Sequence, residues 1–384
     1  MRALVFERKV AKFAAARVAG MVAGPGRGSR VGPLRLADID EPELPGPGWV
    51  RVRPRLAGIC GSDLATIDAT SSRYFEPIVS FPFVPGHEIV GELDDSTRVV
   101  VMSTLTCAAR GIDPPCTQCA HGATNLCERT AFGHISPGLQ TGFCEDTGGG
   151  WSVAMVAHQS QLFPVPDDFT DEQAVMIEPV ACAIHGAFHS LAVAERSIAV
   201  IGSGTLGLGV IAALRQHDDE SWIVATAKYP DQKRWAKELG ASVVAAPDEL
   251  DRAVRRHTGS LVAGDQVTGG IGCVIDCVGS ADSIAQALRV VRPGGHVVLV
   301  GMPGVTTLDL TPLWFREVSV TGSYAYTRHD FEQAVELIRA RDLGRLVTAT
   351  YSIDRYNDAI QHAAEAGRRG AVKIAFDLRN ERNR

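Results

Sequence analysis

The sequence predicts an α/β protein with two domains, one strand-rich and barrel-like, the other built on a doubly wound parallel sheet. Three observations predict it. From about Val31 to Ile177, short β-forming runs such as "WVRVRPRLAGI", "EIVGEL", "RVVVM" and "SVAMVA" are broken by Gly and Pro. From about Cys182, buried-strand runs ("SIAVIG", "WIVATA", "CVIDCVG", "HVVLVG") alternate with helical ones such as "DQKRWAKELG" and "SIAQALRVVRPGG". That alternation is the signature of parallel strands joined by crossover helices. After "SVTGSYAY", a helix "RHDFEQAVELIRARDLG" and a strand-like "AVKIAFDL" read as a return to the first domain. The expected boundaries are residues 1–181, residues 182–322, and a returning segment 323–384. A length of 384 residues agrees with two domains better than with one.

Composition excludes several function classes. An apolar fraction of 45% and a charged fraction of 21% belong to a globular chain. The formal charge of −6 speaks against nucleic-acid binding, which needs clustered Lys and Arg. The opening "MRALVFERKVAKF" carries Glu7, Arg8, Lys9 and Lys12 where a signal peptide needs an apolar core. "SIAVIGSGTLGLGVIAAL" is uncharged, but its glycines suit a strand, turn and helix better than a membrane span. Nine cysteines, an odd number with several scattered in apolar runs, suit a reducing compartment, so the expected location is the cytoplasm. The Ala/Gly-rich "AAARVAGMVAGPGRGSRVG" is expected to be a surface insertion.

The clearest local motif is "AVIGSGTLGLG". It sets Gly202, Gly204 and Gly207 in G-x-G-x-x-G spacing between an apolar strand and a helix. The glycines would give a tight turn, close approach of backbone to a pyrophosphate, and close helix-to-strand packing. Thr205 and Leu206 open the helix, and Val278 in "DCVGS" follows a later strand of the same sheet. The next strand ends in Thr226 and Ala227, followed by Lys228, with no carboxylate to bind a ribose 2′-hydroxyl. This favours NADP over NAD. A solvated loop face is the plainer reading of Lys228, Lys233 and Arg234.

Metal-ligating residue types lie in three strings, "AGICGSDLAT", "VPGHEIVGE" and "MIEPVACAIHG". Cys60, His87, Glu88 and Glu178 form a mixed set suited to zinc. Taken singly, each is an ordinary packing or surface residue. A separate run holds Cys107, Cys116, Cys119 and Cys127. The last three follow Cys-x-x-Cys and a longer gap, which fits a closed thiolate site for structural zinc. "AARGIDPP" separates Cys107 from the others. Either this insertion loops out and Cys107 completes the site, or another group does. A redox Cys-x-x-Cys and metal-free packing are the weaker readings.

In order and approximate spacing, "GICGSD", "PGHEIVGE", the Cys-rich lobe, "IEPVACAIH", "GSGTLG" and "DCVGS" with "GGHVVLVG" resemble the zinc-containing medium-chain dehydrogenases. The likeness covers nearly the whole chain and leans towards the polyol, glucose and threonine dehydrogenases. It implies a GroES-like catalytic domain and a Rossmann domain. It further implies catalytic-zinc ligands at Cys60, His87 and Glu88, with Glu178 a further ligand or the holder of the zinc water. Asp63 would orient the zinc-bound imidazole, and Ser62 would receive the substrate proton. Ala65 stands where many relatives carry a proton-relaying His, and His185 or a water chain is the expected substitute.

The resemblance also implies a small alcohol or carbonyl substrate, hydride transfer to or from NADP or NAD, and a homodimer or homotetramer. Two rival readings stand beside it: a zinc-independent quinone or enoyl reductase, and a cofactor-binding protein without turnover.

Overall fold

The computed structural model describes residues 1–191, 196–264 and 266–381. They fall into two compact units, Met1–Glu178 with Leu343–Arg384, and Pro179–Asp342.

The first unit is built on β1 (Arg2–Phe6), β2 (Leu34–Asp38), β3 (Trp49–Gly58), β4 (Ile89–Glu92), β5 (Arg98–Val101), β6 (Met155–His158) and β7 (Leu162–Pro164). Strand β1 pairs antiparallel with β2. In β3, buried Val52, Pro54 and Leu56 alternate with Arg51, Arg53 and Arg55. This is the period of a strand with one wet face. Its core gathers Leu4, Phe6, Phe83, Trp151, Ile374 and Phe376.

The Ala/Gly-rich segment between β1 and β2 folds as a helix, Val10–Ala23, and a short turn, Gly28–Val31. Asp68 pins it, accepting the N–H groups of Gly26 (2.6 Å) and Gly28 (2.9 Å). Those buried N–H groups would otherwise lack partners.

The second unit contains β8 (Ser197–Ile201), β9 (Trp222–Thr226), β10 (Val243–Ala245), a small hairpin of β11 (Val262–Ala263) and β12 (Gln266–Val267), β13 (Ile271–Asp276), β14 (Val291–Leu299) and β15 (Ser319–Gly322). Six of these strands form one sheet in the order β10-β9-β8-β13-β14-β15. Every pairing in it is parallel. Counted along the chain, that is the 3-2-1-4-5-6 order of a dinucleotide-binding sheet. Strand β13 is buried at all of its positions, as expected of a central parallel strand covered on both faces.

The chain returns to the first unit at Leu343, later than the expected residue 323. The helix Arg328–Arg341 buries Phe331, Ala334, Val335, Leu337 and Ile338. It packs on the helix Thr205–His217 of the second unit, so the apolar stripe seen in the sequence serves that unit's core. The last strands, β16 (Val347–Tyr351) and β17 (Lys373–Asp377), complete the first unit's sheet, in the order β16-β17-β3-β4-β5-β7 with β6 also on β3. Among the described residues no helix is long and apolar enough to cross a membrane.

Candidate active site

The helix Gly61–Ile67 starts directly after β3, and Cys60 is its N-cap residue. Asp63 sits in the first turn, fully buried, with one oxygen hydrogen-bonded and the other facing the His87 ring. Its Oδ2 accepts the Cys60 backbone N–H at 2.9 Å, and its Oδ1 lies 3.3 Å from His87 Nδ1. A carboxylate on Nδ1 fixes the proton there and leaves Nε2 as the ligating nitrogen. Ser62 Oγ stands on that Nε2 side, at 3.5 Å.

Burial opposes a charge on His87. The Asp63 carboxylate and then the Cys60 thiol outweigh burial and hold its pKa well above the ordinary value. A metal ion on Nε2 has to displace that proton.

Glu88 lies differently from the expectation. Both its carboxylate oxygens bind Lys373, with Nζ at 2.6 Å and 2.5 Å, and both residues are buried. Glu178 is also buried. Burial pulls the Lys373 ammonium pKa down, but the charges of Glu88, Cys60 and Glu178 raise it overall. Lys373 was not singled out in the sequence; a lone Lys inside the apolar run "AVKIAFDL" was the available signal. Cys60, His87 and Glu178 offer the thiol, imidazole and carboxylate donor types of an open zinc site, although their ligand atoms are not gathered within 4.8 Å of one another as the four sulfurs of the cysteine run are.

The aromatic run "FPFV" serves packing: Phe6 stacks on Phe83 at 5.0 Å, and Phe83 leads through Phe143 (5.3 Å) to the His87 ring (6.0 Å). Beyond Ser62 the helix carries hydroxyls. Thr66 Oγ1 donates to the Ser62 carbonyl (2.9 Å) and lies 3.1 Å from Ser71 Oγ. In the second unit, His185 Nδ1 is bound to Asp330 Oδ2 at 3.0 Å.

The cysteine run forms a compact lobe. Cys107, Cys116, Cys119 and Cys127 place their sulfurs within 4.8 Å of one another, the one such group of three or more metal-ligating side chains among the described residues. The Cys107 and Cys127 sulfurs are 3.7 Å apart. A tetrahedral zinc with bonds of about 2.3 Å separates its sulfurs by about 3.8 Å. Backbone N–H groups of Cys116 and Glu128 point at the Cys107 and Cys116 sulfurs, at 3.3 Å and 3.5 Å. Burial raises the Cys116 pKa, but the N–H groups of Cys119 and Glu128 bring it down to about 7.

The inserted "AARGIDPP" loops out around Arg110. This fully buried guanidinium donates to the carbonyls of Leu105, Phe132, Ile135, Ser136 and Gly138. The insertion therefore carries its own anchor, and Cys107 stays with the other three. All nine cysteines are free of disulfides.

The glycine-rich turn joins β8 to the helix Thr205–His217. Gly202 has φ +93°, and a Cβ on Gly207 would lie 1.9 Å from the Gly202 carbonyl oxygen. Around Gly204 a Cβ would meet nothing within 4 Å, leaving room for a ligand against the backbone. Thr205 and Leu206 begin the helix, whose first N–H groups suit an anion. Val278 covers Gly202.

Thr226 is buried, and its hydroxyl accepts the Gly202 N–H at 2.8 Å, while Ser203 Oγ donates to its carbonyl. It braces the turn, and Ala227 beside it is buried too. Lys228 is the exposed residue at this strand end. Arg234 is engaged by Asp231 (3.2 Å) and the Trp235 ring (4.5 Å). Asp276, also missed in the sequence, accepts the N–H groups of Val278 and Gly279 and the Ser283 hydroxyl, shaping the neighbouring turn.

Cys107→Ser tests the lobe. The expected result is loss of about one zinc per chain and a lower melting temperature, with the metal at Cys60 and His87 retained. Unchanged zinc content by elemental analysis would show that Cys107 is no ligand.

Known proteins agree with this geometry. The alcohol dehydrogenase GroES-like domain model matches residues 46–167, and the zinc-binding dehydrogenase model matches residues 205–340. An L-idonate 5-dehydrogenase of Vitis vinifera is 30% identical over 361 residues, covering 90% of this chain and 92% of that one. A sorbitol dehydrogenase of Arabidopsis thaliana is 29% identical over 346 residues, covering 87% and 89%. Among solved structures, an alcohol dehydrogenase from Thermus sp. ATN1 shares the fold at a TM-score of 0.73 with 24% identity, covering 98% of this chain and 99% of that one. With both domain models in order and a relative similar over almost its full length, the chain belongs to the zinc-binding dehydrogenases with a GroES-like alcohol dehydrogenase domain.

Proposed function

We propose that the chain oxidises a secondary alcohol of the polyol or sugar-acid class, or reduces the matching carbonyl, with NADP(H) as the preferred hydride carrier and zinc held by Cys60, His87 and Glu178. The observation that carries this reading is Asp63, which holds the Cys60 backbone and the His87 ring in one arrangement. A protein that had lost turnover would have no need of a carboxylate buried there for imidazole orientation. The same residues speak against a zinc-independent reductase. The named relatives, L-idonate and sorbitol dehydrogenases, support the substrate class.

Zinc would supply Lewis acidity that eases loss of the substrate hydroxyl proton, and the nicotinamide would exchange the hydride. The chain's own residues do the rest. Asp63 holds the imidazole proton on Nδ1, so His87 stays a neutral ligand once metal is present. Ser62 Oγ, beside His87 Nε2, takes the hydroxyl proton. Thr66 donates to the Ser62 carbonyl and not to its hydroxyl, so with Ala65 in place of an imidazole a water chain carries the proton onward from Ser62. His185, held by Asp330 in the second unit, is the less favoured relay.

The NADP preference rests on the end of β9: no carboxylate projects there, and the exposed Lys228, its ammonium over the Tyr229 ring at 5.7 Å, stands where it can meet a 2′-phosphate. A homodimer is supported by the exposed β15, which ends the parallel sheet, together with Trp314 (81% exposed) and Phe315 (73% exposed). The free thiols support a cytoplasmic location.

A screen of polyols, sugar acids, aldoses and simple alcohols with both cofactors tests the reading. Turnover is expected on a polyol or sugar acid with NADP. Lys228→Ala should lower kcat/KM for NADP by about tenfold, equal to about 1.4 kcal/mol, and leave NAD nearly unaffected. Equal use of both cofactors, unchanged by the substitution, would remove the NADP preference. A sedimentation mass of one chain would remove the dimer.

A further inference from the structure

We infer that the Ala/Gly-rich insertion between β1 and β2 is a brace for the helix Gly61–Ile67 and for the His87 ring, with Asp68 and Phe13 as positioning residues. The inference rests on the reading of Ser62 and His87 as groups that act at the substrate. It adds to that reading two residues that touch neither substrate nor cofactor.

Three observations carry it. The strands do not need the insertion. Phe6 is paired directly with Leu34, so a two-residue turn would close this hairpin. The chain instead leaves the ladder at residue 7, forms the helix Val10–Ala23 and the turn Gly28–Val31, and returns at residue 34.

The second observation is polar. Asp68 is the C-cap residue of the helix Gly61–Ile67 and is 6% exposed. Its two oxygens accept the Gly26 N–H at 2.6 Å and the Gly28 N–H at 2.9 Å, and among the described residues no cation pairs with it. A buried carboxylate without a cation depends on such N–H groups. The fit is close enough to require glycine: Gly26 holds φ +81°, and a Cβ on Gly28 would lie 2.3 Å from the Ile67 carbonyl oxygen and 2.8 Å from Asp68 Oδ1. The helix has 7 residues, well below the roughly 12–15 at which helices persist unaided. Asp63 ties its start through the Cys60 N–H, Asp68 ties its end to the insertion, and Ser62 lies between the two ties.

The third observation is apolar and independent of the second. Phe13 of the insertion sets its ring edge against Phe6, with centroids 5.4 Å apart. Phe6 is the first ring of the row that runs through Phe83 and Phe143 to His87. At the entry to the insertion, Arg8 pairs with Glu76 at 2.8 Å and lies over the Phe81 ring at 6.0 Å. The insertion therefore reaches the helix of Ser62 by one route and the ring of His87 by another. Loosening either contact lets these groups drift from their 3.5 Å separation, whereas the glycine-rich turn at Gly202 is held by contacts of its own.

The test is hydrogen–deuterium exchange by mass spectrometry on the full-length protein with NADPH, joined to steady-state kinetics with the best alcohol of the screen above. Asp68→Ala is expected to speed exchange over residues 61–68 by about tenfold or more and to leave residues 202–214 unchanged. It should lower kcat by about tenfold with the KM for the nicotinamide cofactor unaltered. Phe13→Ala should lower kcat in the same way, and Phe13→Leu should recover most of it. Met21→Ser, on the exposed face of the insertion helix, should change nothing.

Unchanged exchange over residues 61–68 in Asp68→Ala would overturn the proposal. So would exchange that rises equally in both regions, because the insertion would then serve only global stability, and so would wild-type kcat in both Asp68→Ala and Phe13→Ala. If the wild type turns over no alcohol, the proposed function fails while the exchange measurement still decides the brace. Should Asp68→Ala not fold, Asp68→Asn carries the test, since its amide oxygen keeps one of the two N–H partners and a smaller rise over residues 61–68 is expected.

Discussion

The active unit depends on one buried carboxylate. Asp63 joins two parts of the chain that are far apart in sequence, the turn at Cys60 and the loop that carries His87 into β4. By capping the helix with one oxygen it sets where the Cys60 thiol emerges, and with the other it sets the tautomer and direction of the imidazole. Without it Cys60 and His87 would sit on independent loops, and a metal ion held by both would have to bear the cost of ordering them. The surrounding core, from Phe6 through Phe83 and Phe143, keeps the His87 ring from turning.

The second unit repeats this economy in backbone form. Gly202 and Gly207 allow a turn so tight that Thr226 of the neighbouring strand can reach the Gly202 N–H with its hydroxyl. A residue expected at the cofactor thus also braces the turn, and the exposed Lys228 stands next to it at the strand end. Asp276 does similar work at the next turn, accepting two backbone N–H groups and a serine hydroxyl.

Much of this was legible in the sequence because the signals are local. The glycine spacing, the alternation of strands with helices, and the strings around Cys60, His87 and Glu178 each lie within a few residues. What was not legible depends on pairing across the chain. Lys373 is 285 residues from Glu88, and only the antiparallel fit of β17 on β3 brings them together. The stripe of the helix Arg328–Arg341 announces burial without saying against which unit, so the chain's return was expected at 323 and falls at 343. Whether Cys107 spans its insertion could not be read from spacing, because the answer lies in a buried arginine and five backbone carbonyls.

The two metal sites differ in kind. The cysteine lobe offers four thiols and no open position, whereas three donors at Cys60, His87 and Glu178 would leave one coordination position of a zinc ion open. The most direct measurement is the zinc content and turnover of Cys60→Ser, taken on protein shown by circular dichroism to be folded. Zinc is predicted to fall from about two per chain to about one, with turnover lost by a factor of about a thousand or more. Retention of both zinc ions with turnover intact would contradict the account.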